Sequence, residues 1–310
     1  MAADRPIIDA QLHEPPVFLT WPGEDTPALY DLMTELQLAH MDAVGVDKAV
    51  LFPLDDAWGT HAVSRCPDRF TTVPMISATG LPNTVAADDP GIEEFIADRA
   101  SSPGTAGIRI LLTTSGLIHE KPHAGVHVDS VDEFEKVLAA CARENMPLFM
   151  STAGALEGPA EIARRHPELI LIVDHMGFPQ GPTFTRDDPP FRSLPKLLEL
   201  AQYPNINVKL TGAPTLSEES FPFNDLWPHL EQMVEAFGAS RLMWGSDISR
   251  VRGRSGFRLR VPSGEVPYPG RHSYAEALLY LRETDRLSAE QKSWILGGTA
   301  SRVLDRAGSR

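Results

Sequence analysis

Short apolar runs and longer amphipathic stretches alternate along most of this chain. The first run, Ile7-Ile8-Asp9-Ala10-Gln11-Leu12-His13-Glu14, turns polar on alternate residues before Pro15-Pro16. Residues two apart on a strand share a face, so the pattern predicts a strand with Asp9, Gln11 and His13 to one side. Residues 28–44 then place Leu29, Leu32, Met33, Leu36 and Met41 near helical spacing, with Gly45 as a stop, and predict a helix. The alternation continues. Strands are predicted at 47–52, 71–76, 107–112, 147–150, 168–175, 206–210 and 241–246, with helices at 58–65, 91–100, 130–145, 155–165, 194–202 and 225–237 between them. Pro74 falls inside the third strand, where it cannot donate to a ladder. Ser130-Val131-Asp132-Glu133 and Ser288-Ala289-Glu290-Gln291 carry the capping-box pattern, the second opening a helix at 288–304 that follows another at 272–282.

Strand and helix thus alternate eight times, and the strands are short and apolar enough to be buried on both faces. A single (β/α)8 TIM barrel over residues 1–310, with extended active-site loops and extra C-terminal helices, accounts for this better than two domains. Such barrels run to about 250 residues before insertions. The alternative, an open doubly wound sheet, would carry a glycine-rich phosphate turn after its first strand. Gln11-Leu12-His13-Glu14-Pro15 is not such a turn.

Composition narrows the functional classes. The net charge of -14 excludes a general nucleic-acid or anionic-membrane binder, because phosphate surfaces attract basic proteins. Cys66 and Cys141 lie far apart and outside metal-type spacing, which marks them as reduced and structural. The first residues, Met1-Ala2-Ala3-Asp4-Arg5-Pro6, lack the apolar core of a secretory signal, and no apolar run is long enough to cross a bilayer. A cytoplasmic protein is the expectation.

In a barrel of this kind the site lies where the strands finish. The polar residues there are Gln11, His13, Arg109, Ser151, His175, Lys209, Thr211 and Asp247. Each alone reads as a hydrogen-bonded core group; it is their convergence on one mouth that points to chemistry. Beyond the eighth strand, residues 249–260 are sharply basic in an acidic chain, with Arg250 and Arg252 at their start. Those arginines either clamp a carboxylated substrate or pair with acidic residues of this chain or of a second copy in a homo-oligomer. His119, His123 and His127 share a spacing, but Pro122 and Gly125 interrupt any helix that would align them, so they read as loop residues. Trp21, Phe178, Phe184, Phe221 and Phe223 either line a pocket for a cyclic substrate or pack the loops.

Several motifs in strand order carry a resemblance. Ile8-Asp9-Ala10-Gln11-Leu12-His13, Gly107-Ile108-Arg109, Asp174-His175-Met176-Gly177, Gly245-Ser246-Asp247 and Ile295-Leu296-Gly297-Gly298-Thr299-Ala300 resemble the amidohydrolase superfamily. Within it they are most similar to the amidohydrolase-related branch of sugar lactonases and 2-pyrone-4,6-dicarboxylate lactonase. The chain departs from the family's metal-binding pattern at three places. Gln11 stands for the first histidine of His-x-His, Ser151 for a histidine after strand five, and Arg109 for a carboxylate or modified lysine. His13, His175 and Asp247 remain, which with water could form a zinc site. A neutral amide at Gln11 is a poor ligand, however, and Arg109 puts a fixed positive charge beside any cation.

The resemblance therefore implies a hydrolase acting on a lactone or related cyclic ester, with a small anionic or cyclic molecule as substrate and no cofactor. Asp247 would be the general base that activates water, while His13, His175 and Arg109 polarise the carbonyl. Gln11, Ser151, Lys209, Arg250 and Arg252 would bind the substrate. A single divalent metal, zinc by its ligand types, is the alternative to the metal-free site. A metal-dependent decarboxylase of an aromatic or muconate-type acid is the alternative activity. A barrel that only binds a small molecule is the third reading, against which Asp247 and His175 argue.

Overall fold

In the computed structural model, which describes residues 5–15, 27–78, 84–112, 130–180, 184, 186–248, 258–261, 264–267 and 272–308, strands and helices alternate as the pattern requires. The strands are β1 Ile8–Leu12, β2 Lys48–Leu51, β3 Phe70–Thr72, β4 Met75–Ser77, β5 Val85–Ala86 and β6 Ile108–Leu111, then β7 Leu148–Ser151, β8 Leu171–Val173, β9 Ile206–Lys209 and β10 Leu242–Met243. A hairpin of β11 Arg258–Val261 and β12 Gly264–Pro267 stands apart. The helices are α1 Pro27–Val44, α2 Asp56–Arg65, α3 Ile92–Ser101, α4 Glu135–Arg143, α5 Glu157–Arg165, α6 Leu194–Glu199, α7 Trp227–Phe237, α8 Tyr274–Arg282, α9 Ala289–Ser293 and α10 Thr299–Gly308. Among the described residues no helix is long and apolar enough to cross a membrane.

Apart from the hairpin, every ladder is parallel, in the orders β1-β2-β3 and β10-β9-β8-β7-β6-β4-β5. Pro74 explains the first seam. It splits the third predicted strand, yet both halves stay bonded: Val73 N–H donates to Leu51 O at 2.9 Å, and Pro74 O accepts from Arg109 N–H at 2.9 Å. The proline needs no donor there because only its carbonyl faces β6. At the second seam Ala10 N–H donates to Trp244 O at 3.1 Å and Asp247 N–H to Gln11 O at 3.0 Å. Hydrogen bonds thus bridge both gaps, and the fold is the (β/α)8 barrel. Close approach at this second seam requires Gly245, since a Cβ there would lie 2.8 Å from Thr211 Oγ1 and 3.1 Å from Gln11 Cβ.

Two apolar layers form the core. The inner one joins Ile8, Ala10, Val50, Phe149, Ile172 and Met243 to Ala300 and Val303 of α10, and the outer one packs strands against helices. The face of α1 is more polar than its hydrophobic spacing predicted: Leu29, Met33 and Met41 are buried beside Thr34 and Gln37, while Leu32 is exposed. Gln37 earns its place by donating from Nε2 to His13 O at 2.6 Å, which ties down the end of β1.

The C-terminal segment departs most from the pattern. The capping box at Ser288 and Gln291 forms as its sequence predicts, but the helix then widens into a π-turn at Trp294–Gly298 before α10. That turn frees Ile295 O to accept from Trp244 N–H at 2.8 Å. It also sets Gly297 against the start of the chain, where an added Cβ would sit 1.7 Å from Pro6 O. The clash is with backbone, which cannot swing aside. Gly297→Ala should therefore destabilise the protein by about 1–3 kcal/mol, read as a lower urea midpoint at an unchanged slope.

Candidate active site

Past β10 the chain leaves the ladder and turns sharply at Asp247, a fully buried residue with φ of 55°. Aspartate tolerates this left-handed region better than most side chains do. A local network holds it there. Ser246 N–H donates to Asp9 Oδ1 at 2.8 Å, Ser246 Oγ–H donates to Asp9 Oδ2, and Tyr274 O–H donates to the same oxygen at 2.9 Å. Burial pushes the Asp9 carboxyl up to about 6, although these donors and the Gln11 N–H pull the other way. Asp9 therefore does not share a side with Gln11 and His13, as period-two alternation predicted. The β1–β2 register shifts between Asp9 and Leu12, and that irregularity sends Asp9 towards α8 while Gln11 and His13 bond to one another.

His13 and His175 flank the Asp247 carboxylate. His13 Nε2 lies 3.4 Å from Oδ1 and His175 Nε2 lies 3.2 Å from Oδ2. His13 Nδ1 is 2.6 Å from Phe52 O, and its Nε2 is 3.0 Å from Gln11 Nε2. His175 owes its position to a turn after β8 in which His175, Met176 and Gly177 all have positive φ, at 54°, 57° and 73°. Two non-glycine residues in that region store strain, which the fully buried Met176 side chain helps to hold.

Beneath these groups lies a charge cluster. Asp174 Oδ1 is 2.7 Å from Lys209 Nζ and its Oδ2 accepts from Arg109 Nε at 2.7 Å. Burial alone would raise the Asp174 pKa, but Lys209 and Arg109 outweigh it and hold the carboxyl below its ordinary value. Burial pulls the Lys209 ammonium down to about 8, with Asp174 opposing. Lys209 Nζ also donates to Gln11 Oε1 and, at 3.1 Å, to Ala10 O, and it sits 4.0 Å over the Phe52 ring. Lys209, predicted to bind substrate, is thus fully buried under the mouth, engaged by protein on every side.

Of the remaining candidates, Ser151 ends β7 and is nearly buried, while Arg250 and Arg252 lie outside the described residues, as do Trp21, His119, His123 and His127. Phe178 packs edge-on against Phe191, and Phe223 against His272 and Tyr280, so these two aromatics belong to loop packing. Sequence reasoning assigned no role to Asp174 or Glu14. The signal for Asp174 was present: two interior cations, Arg109 and Lys209, need a buried counter-charge. Glu14 Oε1 accepts from the Leu54 and Asp55 N–H groups, and burial pushes this carboxyl up to about 7.

The donor set does not suit a divalent cation as arranged. The Gln11 carboxamide turns its oxygen to an ammonium and its nitrogen to His13. Two buried cations, Lys209 and Arg109, already neutralise Asp174 and stand in the place a divalent ion would need. Among the described residues no group of three or more His, Cys, Asp or Glu is placed to hold a metal ion.

Comparison with known proteins gives the following. A family model described as Amidohydrolase matches residues 8–306. L-fucono-1,5-lactonase of Burkholderia ambifaria is 37% identical over 99 residues, 30% of this chain and 32% of the relative. The 4-sulfomuconolactone hydrolase of Rhizobium radiobacter is 29% identical over 127 residues, 41% of this chain and 40% of the relative. The matches thus span about a third to under half of the length of the curated relatives. A crystal structure of an amidohydrolase from Burkholderia multivorans with bound zinc superposes with a TM-score of 0.65 at 20% identity, covering 97% of this chain and 99% of that one. That likeness supports the fold.

Glu14 makes the site's stability depend on pH. Its folded pKa is raised above the ordinary 4.5 to about 7, so the folded state is increasingly penalised as pH rises through that window, and fully above it. Glu14→Gln, which keeps the acceptor for both N–H groups, should match wild type below pH 4.5 and be more stable above pH 7. The gain should be on the order of 3 kcal/mol, measured by urea unfolding at the two ends of the range.

Proposed function

The chain belongs to the amidohydrolase family, and on that footing we propose that it hydrolyses a lactone or related cyclic ester bearing a negative charge. The observation that carries this reading is the Asp247 carboxylate, fully buried and flanked by two imidazole nitrogens at 3.4 and 3.2 Å. A carboxylate so placed can take a proton from water as the water oxygen bonds to the ester carbonyl carbon. The ring C–O bond then breaks, and the proton held on Asp247 passes to the leaving oxygen. One water is consumed and a hydroxy acid released. His175 and Arg109 supply the donors and positive charge for the oxyanion that forms between these steps. A lactone is an activated ester, and a site with such donors needs less electrophilic help than amide cleavage would.

Two further considerations support the reading. The partial relatives named above both carry lactone chemistry in their names, one with a sugar-acid lactone and one with a sulfonated lactone. By residue type and place in the sequence we assign an anionic substituent to Ser151 and to Arg250 and Arg252 of the basic segment, whereas Gln11, predicted to share that task, has both ends of its amide engaged by Lys209 and His13. The charges of the protein itself serve this chemistry, so no step is routed through a metal.

A screen of sugar-acid and muconate-type lactones should find turnover that survives exhaustive chelation. Loss on chelation and recovery with zinc would overturn the metal-free part. In the active assay, Asp247→Asn should lower kcat by on the order of 10³-fold at little change in KM. Retention of wild-type kcat would remove Asp247 as the base.

A further inference from the structure

Lys209 touches no reacting atom in this scheme, yet it is fully buried and bonded to Asp174, Gln11 and Ala10. From its contacts we infer that Lys209, acting through Gln11, fixes the tautomer of His13, so that His13 meets the substrate as a proton acceptor paired with Asp247. The inference rests on the lactone-hydrolysis reading for its kinetic part only.

The argument follows hydrogen-bond bookkeeping along three residues. An ammonium has donors and no acceptor, so the atom of Gln11 facing Lys209 must be the carboxamide oxygen. The NH2 of the same amide therefore faces His13 Nε2, 3.0 Å away, and an N–H there requires an acceptor. His13 Nε2 is then unprotonated. The second ring nitrogen agrees, because Nδ1 lies 2.6 Å from the Phe52 carbonyl oxygen, which can only accept. One buried charge thus dictates which nitrogen of a histidine just past the end of β1 carries the proton, and the orientation of Gln11 is the link. Asp174, 2.7 Å from Lys209 Nζ, holds the ammonium in place, and Ala10 O takes a further donor.

The consequence concerns the attacking water. His13 Nε2 and Asp247 Oδ1 stand 3.4 Å apart, and both are acceptors in this state. Two acceptors at that separation can take the two O–H bonds of one water, leaving its lone pair turned towards the carbonyl. The proton transferred goes to Asp247 as the C–O bond forms, while the Nε2 lone pair is shared between the Gln11 N–H and the second O–H. An Nε2-protonated His13 would instead donate to Asp247 and tie up the base. Lys209 and Gln11 are positioning residues in this scheme, whereas His13 and Asp247 touch the reactants.

The test reads the tautomer directly. In uniformly 15N-histidine-labelled enzyme without substrate, the His13 signals, assigned by their loss in His13→Gln, should show a pyrrole-type Nδ1 and a pyridine-type Nε2. Gln11→Glu retains the contact with Lys209 but replaces the N–H donor with an acceptor. It should move the proton to Nε2 and lower kcat on the order of 10²-fold with KM changed less than threefold. Lys209→Met should yield mixed tautomers; if it fails to fold, Gln11→Glu carries the test alone. A wild-type His13 protonated at Nε2, or a Gln11→Glu enzyme with unaltered 15N pattern and kcat, would overturn the inference. Because the NMR measurement needs no substrate, absence of lactone turnover beside the expected tautomer would remove the substrate assignment and leave the tautomer assignment standing.

Discussion

Two cations buried inside a barrel cannot persist without a carboxylate between them, and Asp174 meets that requirement for Arg109 and Lys209. The rest of the site is arranged over this pair of contacts. Asp174 sits at the point where β8 ends and the left-handed turn through His175 begins, so the ion cluster and the turn anchor one another. Lys209 in turn engages β1 through Ala10 O and Gln11, which lie 199 and 198 residues away in sequence. Removing one partner would leave an uncompensated buried charge, a cost several times that of an ordinary surface contact.

The second constraint is backbone closure. Strands β10 and β1 meet through very few hydrogen bonds, and side chains make up the difference. Asp9 on β1 accepts from Ser246 and Tyr274, and Gly245 lets Thr211 and Gln11 approach. The residues that seal the seam therefore immediately precede, or directly contact, those that define the reaction centre. Stability and chemistry share the same few residues here, which leaves little freedom to change one without the other.

Much of the fold was legible because the strands are short apolar runs of the kind that only a doubly covered parallel sheet needs. The limits of legibility were geometric. Strands β8 and β10 are shorter than their predicted runs, and residue type alone could not show that Asp174, His175 and the residues from Trp244 to Asp247 had already left the ladder. Pro74 was readable as a break but not as a junction between two ladders, since that depends on which of its neighbours face which strand. The alternation that grouped Asp9 with Gln11 and His13 failed at a register shift, a feature with no signature in residue type. For the candidate site, position at strand ends was sufficient to gather His13, His175 and Asp247, which the fold does bring together. It could not show that Lys209 is fully buried against Asp174 and Gln11, because depth of burial is not a property of spacing.

The π-turn at Trp294–Gly298 bears on how the molecule assembles. It receives Trp244 N–H from just past β10 and presses against Pro6 just ahead of β1, while the Asp9 to Ser246 contact spans 237 residues. The two halves of the site are thus drawn from segments far apart in sequence, and the π-turn braces both. Such long-range closure makes for slow folding, because loop entropy is lost before the contacts that compensate for it form. The site is a product of closure as a whole rather than of any one strand.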